Sequence, residues 1–158
     1  MTQRLDYGAA APNGVKALGA VYGYVATCGL PKSLVDLVYL RISLINGCAF
    51  CIDSHTHDLL KEGLAPEKVA LVPAWEEAGA YFTDREKAAL AWAETVTRVA
   101  HTHVPDEAFQ AVSSQFSPKE IADLTIAIGL MNTYNRLAIS FRQTPASVAK
   151  LTQSQVAT

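Results

Sequence analysis

Apolar residues recur at three- and four-residue spacing over most of the chain, which predicts helices rather than strands. After Thr83, for example, an apolar stripe with this spacing continues as far as Ala100. No stretch of useful length shows the strict alternation of apolar and polar residues that is typical of a half-buried strand. The pattern therefore predicts an all-α protein built as a helical bundle.

Capping boxes mark the start of two of the predicted helices. The tetrapeptides at 83–86 (TDRE) and 117–120 (SPKE) each place a hydroxyl residue three positions before a glutamate. In this arrangement each of the two side chains bonds to the backbone amide of the other residue, and two free donors at the helix start are satisfied. We expect helices to begin directly after Thr83 and Ser117.

Two further helices are predicted on either side of Asn46 and Gly47. Residues 34–45 are apolar on most faces. Asn and Gly tolerate the left-handed backbone that commonly ends a helix, so the first helix should stop there. A second helix is expected to begin at Cys48 and to end near Gly63.

The chain is expected to form one domain. No long Ser-rich, Gly-rich or charged linker divides its 158 residues, so we assign the domain to residues 12–146 and loosely attached tails to 1–11 and 147–158. Residues 124–131 (LTIAIGLM) are apolar nearly all round. Such a helix lies in the centre of a fold or against another subunit, and we expect both.

Composition and charge narrow the possible partners. Apolar residues make up 50% of the chain, charged residues 18%, and the formal net charge is −2. A chain without an excess of basic residues lacks the positive electrostatic potential that binds the phosphate backbone of nucleic acids, so nucleic acid is not expected as a partner. No segment approaches the roughly 18 apolar residues of a membrane span, and the first residues lack the apolar core of a signal peptide. We expect a cytoplasmic protein without a membrane partner.

Cys48, Cys51 and His55 form the most informative cluster. In a reducing compartment a C-x-x-C pair indicates redox or metal chemistry rather than a structural disulfide. At about 100° per residue, the three side chains share one face of the predicted helix. The α-carbons of residues three apart on a helix lie about 5 to 6 Å from each other, which a disulfide accepts. The pair is therefore expected to form and break a disulfide with little backbone movement.

A thiol at this position needs activation, because the thiolate is the nucleophile. The positive end of the helix dipole lowers the pKa of a thiol in the first turn, and taken alone this favours Cys48 as the more acidic cysteine. His55 can accept or relay a proton one turn further on. If the chain reverses at Gly47, counting equal distances from the turn brings Asp36 close to His55, where it could orient the imidazole.

The residues around this cluster resemble the core motif of the alkylhydroperoxidase D-like, carboxymuconolactone decarboxylase superfamily. The resemblance is carried by residues 40–55 (LRISLINGCAFCIDSH) and extends through 82–94, 123–128, Asn132 and 135–138. It implies an all-helical fold assembled as trimers or hexamers. It also implies a peroxidase that reduces organic hydroperoxides and is recharged by a dithiol electron donor, without a metal or another cofactor.

The resemblance also implies a role for each residue of the cluster. Cys51 attacks the peroxide and becomes a sulfenic acid, Cys48 resolves this acid to the disulfide, and His55 relays protons with Asp36. Two positions depart from the pattern. The family usually has Glu where this chain has Asp36, and the best studied peroxidase of the family has a second histidine where this chain has Phe50.

Two other kinds of function stay open. The same cysteine and histidine side chains could hold zinc or merely respond to oxidant, which would make the chain a metal-binding or redox-sensing module. A lyase or another small-molecule enzyme could also be built on this scaffold, and its activity would survive Cys51→Ser.

Overall fold

The computed structural model describes the backbone of residues 2–156 and the side chains of residues 2–152, and all regular elements in this range are helical. The α-helices are α1 (Tyr7–Ala10), α2 (Pro12–Thr27), α3 (Lys32–Asn46), α4 (Ala49–Lys61), α5 (Pro66–Ala70), α6 (Asp84–Thr97), α7 (Val99–Thr102), α8 (Asp106–Ser113), α9 (Pro118–Phe141) and α10 (Ala146–Val156). Two short 3₁₀ turns, Val72–Ala74 and Gly79–Tyr81, lie between α5 and α6. The predicted all-α class is confirmed.

Both capping boxes are present as predicted. The Glu86 amide donates to the Thr83 hydroxyl at 3.2 Å, and the Glu86 carboxylate accepts the Thr83 amide at 2.8 Å. The same pair of bonds joins Ser117 and Glu120 at 3.4 and 2.9 Å. The starts of α6 and α9 are therefore fixed by local side chains, as the sequence predicts.

The turn between α3 and α4 is formed by Gly47, which adopts the left-handed region with a φ of 70°. Cys48 then has an extended backbone and is the N-cap of α4, so the helix begins at Ala49, one residue later than expected. The Cys51 amide donates to the Cys48 sulfur at 3.3 Å. Cys48 therefore takes the place that a Ser or Asp side chain usually has at a helix start.

Helix α3 is the centre of the fold. Val38 and Ile42 pack in a cluster with residues of α2, α6, α8 and α9. Leu37 and Leu40 point to the other side, where they pack with residues of α4, α5 and α6. Because α3 is buried between these two clusters, the elements around it are positioned relative to one another through it.

Helix α9 is buried on one face and exposed on another. Leu124, Ala127 and Ile128 are fully buried, which confirms the predicted central place of this helix. Ile126, which belongs to the apolar run 124–131, is 42% exposed. Cover by another subunit stays a prediction for this outer face. Within residues 2–156, no helix is long and apolar enough to cross a membrane.

A polar network ties the end of α3 to α9. Asn135 is fully buried, accepts a hydrogen bond from the Asn46 side chain at 2.9 Å and donates one to the Ser43 hydroxyl at 3.1 Å. The Ser43 hydroxyl in turn donates to the Tyr39 carbonyl at 2.7 Å. The residues just before the Gly47 turn are thus bonded directly to the last long helix.

Described residues near both ends of the chain bond to residues of other segments. The Arg4 amide donates to the Phe141 carbonyl at 3.0 Å, and the Tyr7 hydroxyl donates to the Gln143 side chain at 2.8 Å. Near the start of α10, the Ser147 amide donates to a carboxylate on α4 at 3.1 Å. Residue 1 and residues 157 and 158 of the predicted tails lie outside the described residues.

Replacing Asn135 with alanine removes the donor to the Ser43 hydroxyl and one of the two acceptors of the Asn46 side-chain amide, the other being Asn132, at a position without solvent. We expect the free energy of unfolding to fall by roughly 1–3 kcal/mol, the usual cost of unpaired buried polar groups. Urea unfolding followed by circular dichroism measures it. Thr133→Ala, at a partly exposed position of the same helix, is the control and should change it by less than about 0.5 kcal/mol. Equal losses in both variants would contradict the role of the network.

Candidate functional site

Cys48 and Cys51 form a disulfide at the start of α4. Their α-carbons are 5.3 Å apart, within the range expected for cysteines three residues apart on a helix. The two residues are 1% and 4% exposed and pack with Phe50 and with Ala138 of α9. Because the disulfide closes a loop of a single turn, it constrains the unfolded chain little. This short loop favours a reversible bond over a structural one.

His55 lies one helical turn after Cys51 and is 8% exposed. Its Nδ1 atom is 3.6 Å from the Asp36 Oδ1 atom, so the proximity expected from the sequence is observed. This separation is longer than a hydrogen bond, and Nδ1 has no hydrogen-bonding partner among the described residues. The imidazole packs on the Tyr39 ring with centroids 5.2 Å apart. His55 is therefore held by packing and by the charge of Asp36.

Asp36 brings a buried carboxylate from α3 to this histidine. Burial acts to raise its pKa, but His55 and the Lys32 ammonium act in the opposite direction and outweigh it. As a result, the pKa of Asp36 lies below its ordinary value of 3.8. The carboxylate is therefore ionised at neutral pH and places a negative charge beside the imidazole.

Lys32 completes the charge cluster, and the sequence gives little sign of it beyond its spacing of four residues before Asp36. The ammonium lies 2.5 Å from the Asp36 carboxylate and also contacts the carboxylate of Glu62, just after α4. Asp36 and Glu62 raise the pKa of Lys32. Only the folded chain brings Glu62 to this place, because it is thirty residues away in sequence.

A cavity of about 420 Å³ opens beside Cys51 and His55. Its lining is largely aromatic and apolar, with a few polar side chains: Tyr7, Tyr22, Phe50, Cys51, Ser54, His55, Asp58, Met131, Tyr134, Ala138 and Gln143. Cys48 does not belong to this lining. Of the two cysteines, Cys51 therefore shares a cavity with the histidine. The sequence did not indicate the tyrosines, which come from separate helices.

One group of side chains has the spacing of a cation site. A ligand atom from each of Asp36, His55 and Asp58 lies within 4.8 Å of the other two. The group does not include the cysteines, whose sulfurs are bonded to each other and are not the thiolates that bind zinc. The Lys32 ammonium already supplies a positive charge to Asp36. These contacts favour an ion-pair network over a metal centre.

Replacing Lys32 with glutamine should make the stability of the protein less dependent on pH in the acid range. As the pH falls, the unfolded chain binds a proton at Asp36 before the folded chain does, because the pKa of Asp36 is lowered by folding. The free energy of unfolding is therefore expected to fall between about pH 5 and about pH 3. Without the ammonium the pKa of Asp36 is less depressed, and this fall should be shallower.

Urea unfolding at several pH values between these limits measures the slope. The control is Lys61→Gln, which removes a lysine charge from an exposed position on α4. In this variant the free energy of unfolding should depend on pH as it does in the wild type. A Lys32→Gln protein with an unchanged slope would contradict the pairing with Asp36.

Comparison with known proteins identifies the family of the chain. A sequence profile of the carboxymuconolactone decarboxylase family matches residues 12–95, which include Asp36, the cysteine pair and His55. The uncharacterised protein YdfG of Bacillus subtilis is 33% identical over 147 residues, which are 93% of this chain and 99% of that protein. A solved structure with the same fold is that of ATU0492 from Agrobacterium tumefaciens, a protein of unknown function for which AhpD-like antioxidant defence has been suggested. Its TM-score to this chain is 0.88 and its sequence is 40% identical, and the match covers 91% of this chain and 98% of that one.

A more local similarity joins the chain to a named enzyme. The alkyl hydroperoxide reductase AhpD of Coxiella burnetii is 38% identical over 45 residues, which are 28% of this chain and 25% of that protein. The relatives that match over almost their full length are those without an established function. The profile match and the full-length relatives lead to one conclusion: the chain belongs to the carboxymuconolactone decarboxylase family and has the AhpD-like fold.

Proposed function

We propose that the protein is a dithiol peroxidase that reduces organic hydroperoxides through Cys51 and Cys48. The observation that carries this proposal is that Cys51 lines one cavity with His55 while its sulfur is bonded to Cys48. A peroxidatic thiol needs a proton acceptor, space for the peroxide and a second thiol within bonding distance. All three requirements are met within two turns of α4.

The proposed reaction begins with the reduced pair. The Cys51 thiolate attacks the terminal oxygen of the hydroperoxide, the O–O bond breaks, and Cys51 becomes a sulfenic acid while the alkoxide takes a proton from His55. The Cys48 thiol then attacks the Cys51 sulfur and displaces the hydroxyl group as water. The product is the disulfide of this structure, and two electrons have passed to the peroxide.

Asp36 and Lys32 support the proton transfers through His55. An ionised carboxylate 3.6 Å from Nδ1 stabilises the imidazolium that forms when the Cys51 thiol is deprotonated. Lys32 keeps this carboxylate charged despite its burial. Because Asp is one methylene shorter than the Glu usual in the family, the interaction is electrostatic and lacks a direct hydrogen bond. We propose that this pair forms the proton relay.

The cavity lining supports an organic substrate. Phe50, Tyr22, Tyr134 and Met131 line the same cavity as Cys51 and give it aromatic and apolar surface, which binds an alkyl or aryl group better than it binds water. Phe50 can neither donate nor accept a proton, so it contributes packing alone. The proposal therefore includes a preference for a bulky hydroperoxide such as cumene hydroperoxide over hydrogen peroxide.

The proposal extends to the protein's partners and place of action. A dithiol electron donor must return the disulfide to its reduced form after each turnover. The exposed apolar side chains of Val21, Tyr24 and Ile126 on α2 and α9 offer a surface for other subunits, which supports a homo-oligomer, either a trimer or a hexamer. We place the protein in the cytoplasm, where a reducing pool can maintain the dithiol.

Oxidation by one equivalent of cumene hydroperoxide tests the peroxidase chemistry. The chain has three cysteines, so the free-thiol count of the reduced, metal-free protein should fall from three to one within seconds to minutes. In Cys48→Ser a sulfenic acid should be trapped on Cys51 and identified by dimedone labelling and mass spectrometry. Retention of all three thiols in the wild type, or an adduct on Cys28, would contradict the proposal.

Replacing His55 with glutamine should slow the oxidation of Cys51 by roughly 100-fold or more, since general acid–base groups contribute about 10²–10⁴. The rate is measured with reduced protein by rapid-quench thiol labelling. His57→Gln is the matched control, because His57 is an exposed histidine on the same helix and lies outside the cavity. Equal rates for the two variants would show that His55 does not relay the proton.

A metal-binding or redox-sensing role is the second candidate, and the spacing of Asp36, His55 and Asp58 is the observation that favours it. In this case zinc should bind the protein stoichiometrically at these three side chains. Titration calorimetry with and without Asp58→Asn measures this binding. An absence of zinc binding, or binding that Asp58→Asn leaves unchanged, would exclude this metal site.

A further inference from the structure

The cavity that Cys51 shares with the histidine is lined by phenyl and phenol rings from four separate helices. Tyr7 belongs to α1, Tyr22 to α2, Phe50 to α4 and Tyr134 to α9. Aromatic rings prefer offset or edge-to-face contacts with one another, and such contacts stabilise a pair of rings beyond the effect of the buried area. The cavity therefore offers aromatic contacts to a bound molecule from several segments of the chain.

Tyr7 differs from the other three because it lies in the N-terminal segment, before the predicted domain of residues 12–146 and before the residues that the family profile matches. Its ring packs on the Phe141 ring with centroids 5.9 Å apart, and its hydroxyl donates to the Gln143 side chain at 2.8 Å. The Asp6 side chain caps α1 by accepting a hydrogen bond from the Ala9 amide at 3.0 Å. A local cap and two side-chain contacts therefore hold Tyr7 at the cavity.

The end of α9 supplies the residues that hold Tyr7. Arg142 has a left-handed backbone with a φ of 56°, and the Gln143 amide donates to the Ala138 carbonyl at 2.9 Å, which closes the helix. Gln143 also lines the cavity. The Arg4 amide donates to the Phe141 carbonyl at 3.0 Å. The N-terminal segment is thus bonded to the end of α9, and Tyr7 and Gln143 together form one wall of the cavity.

We propose that the N-terminal segment completes a binding site for an aromatic group, in which Tyr7 favours an aryl hydroperoxide over a saturated hydroperoxide of the same carbon skeleton. The inference rests on the proposed peroxidase function and deepens it, because it names the class of the substrate and the residue that selects it. Tyr7 is in this sense a specificity-determining residue. It takes no part in the proton transfers.

The rest of the lining agrees with an aromatic occupant. Besides Cys51 and the rings, the apolar part of the described lining consists of Met131 and Ala138. A thioether also makes favourable contacts with aromatic rings. The cavity volume of about 420 Å³ falls at the lower end of the range of about 300–1,000 Å³ that is typical of sites for small organic molecules. A saturated ring would gain burial here without the contacts between rings.

Two alcohols test the site in the reduced protein without any peroxide. 2-Phenyl-2-propanol is the alcohol that reduction of cumene hydroperoxide produces, and 2-cyclohexyl-2-propanol has the same carbon skeleton with a saturated ring. The concentration of each alcohol that halves the rate of Cys51 alkylation by iodoacetamide is measured by peptide mass spectrometry. The ratio of the two concentrations gives the preference for the aromatic ring, and effects of a variant on the reactivity of the thiol cancel in it.

Tyr7→Leu keeps an apolar side chain and removes the ring, so the preference for the phenyl compound should become about fivefold smaller, as expected from losing one aromatic contact. Tyr7→Phe keeps the ring and should keep the wild-type preference. Tyr81→Leu is the matched control, because Tyr81 is 46% exposed and lies outside this cavity. An unchanged preference in Tyr7→Leu, an equal loss in Tyr7→Phe or in Tyr81→Leu, or no protection of the wild type by the phenyl compound would overturn the proposal.

Oxidation rates separate this proposal from the peroxidase function. Cumene hydroperoxide and 2-cyclohexyl-2-propyl hydroperoxide are compared as oxidants of reduced Cys51, and the ratio of their rate constants should also fall about fivefold in Tyr7→Leu. A wild type that the alcohols protect as expected, but that neither hydroperoxide oxidises, would refute the peroxidase function and support the aromatic site. A wild type that is oxidised, but in which Tyr7→Leu lowers both rate constants equally, would refute the aromatic site alone.

Discussion

The packing of α4 against the central helix α3, across the turn at Gly47, is the constraint on which the site depends. The left-handed backbone of Gly47 reverses the chain in a single residue, so two helices adjacent in sequence become antiparallel neighbours. This reversal brings Asp36, near the start of α3, beside His55, in the middle of α4. It also leaves Cys48 as the N-cap, with its sulfur over the free amides of the first turn. The polar network from Ser43 and Asn46 to α9 holds the end of α3 from which the turn begins.

A buried carboxylate at this contact needs compensation, because the transfer of a charge out of water is costly. In this protein Lys32 and His55 supply it from two directions, and the pKa of Asp36 falls even though burial acts to raise it. The ion pair of Lys32 with Glu62 joins the start of α3 to the residue that follows α4. The same charges that hold the two helices together therefore also set the protonation state of the group beside the histidine. A substitution that breaks these ion pairs is therefore expected to change both the packing of α3 against α4 and the protonation of Asp36.

The disulfide lies where two cavities meet. Two disulfide-bonded cysteines at positions i and i+3 of a helix start have little conformational freedom, so each of them has fixed and different surroundings. Cys51 lines a cavity with His55 and several aromatic side chains, and Cys48 lines another, mostly apolar cavity between the start of α4 and the end of α9, which also has Arg142 in its lining. Phe50 lies between the cysteines in sequence and lines both cavities, which gives a structural role to the position where the best studied peroxidase of the family has a second histidine. A chemically symmetric bond is thereby placed in an asymmetric environment.

The sequence by itself determined the features that rest on local interactions. Capping boxes gave the starts of α6 and α9, the glycine gave the turn after α3, and helical periodicity placed Cys51 and His55 on one face. These features need only residues within about one helical turn of each other, so a linear pattern is enough to show them. The tertiary structure alone decided that Glu62 reaches Lys32 and that α9 and the segment before α10 border a cavity with Cys48. Those features depend on how distant segments pack against α3, and packing depends on the shapes of many side chains at once rather than on their order in the chain.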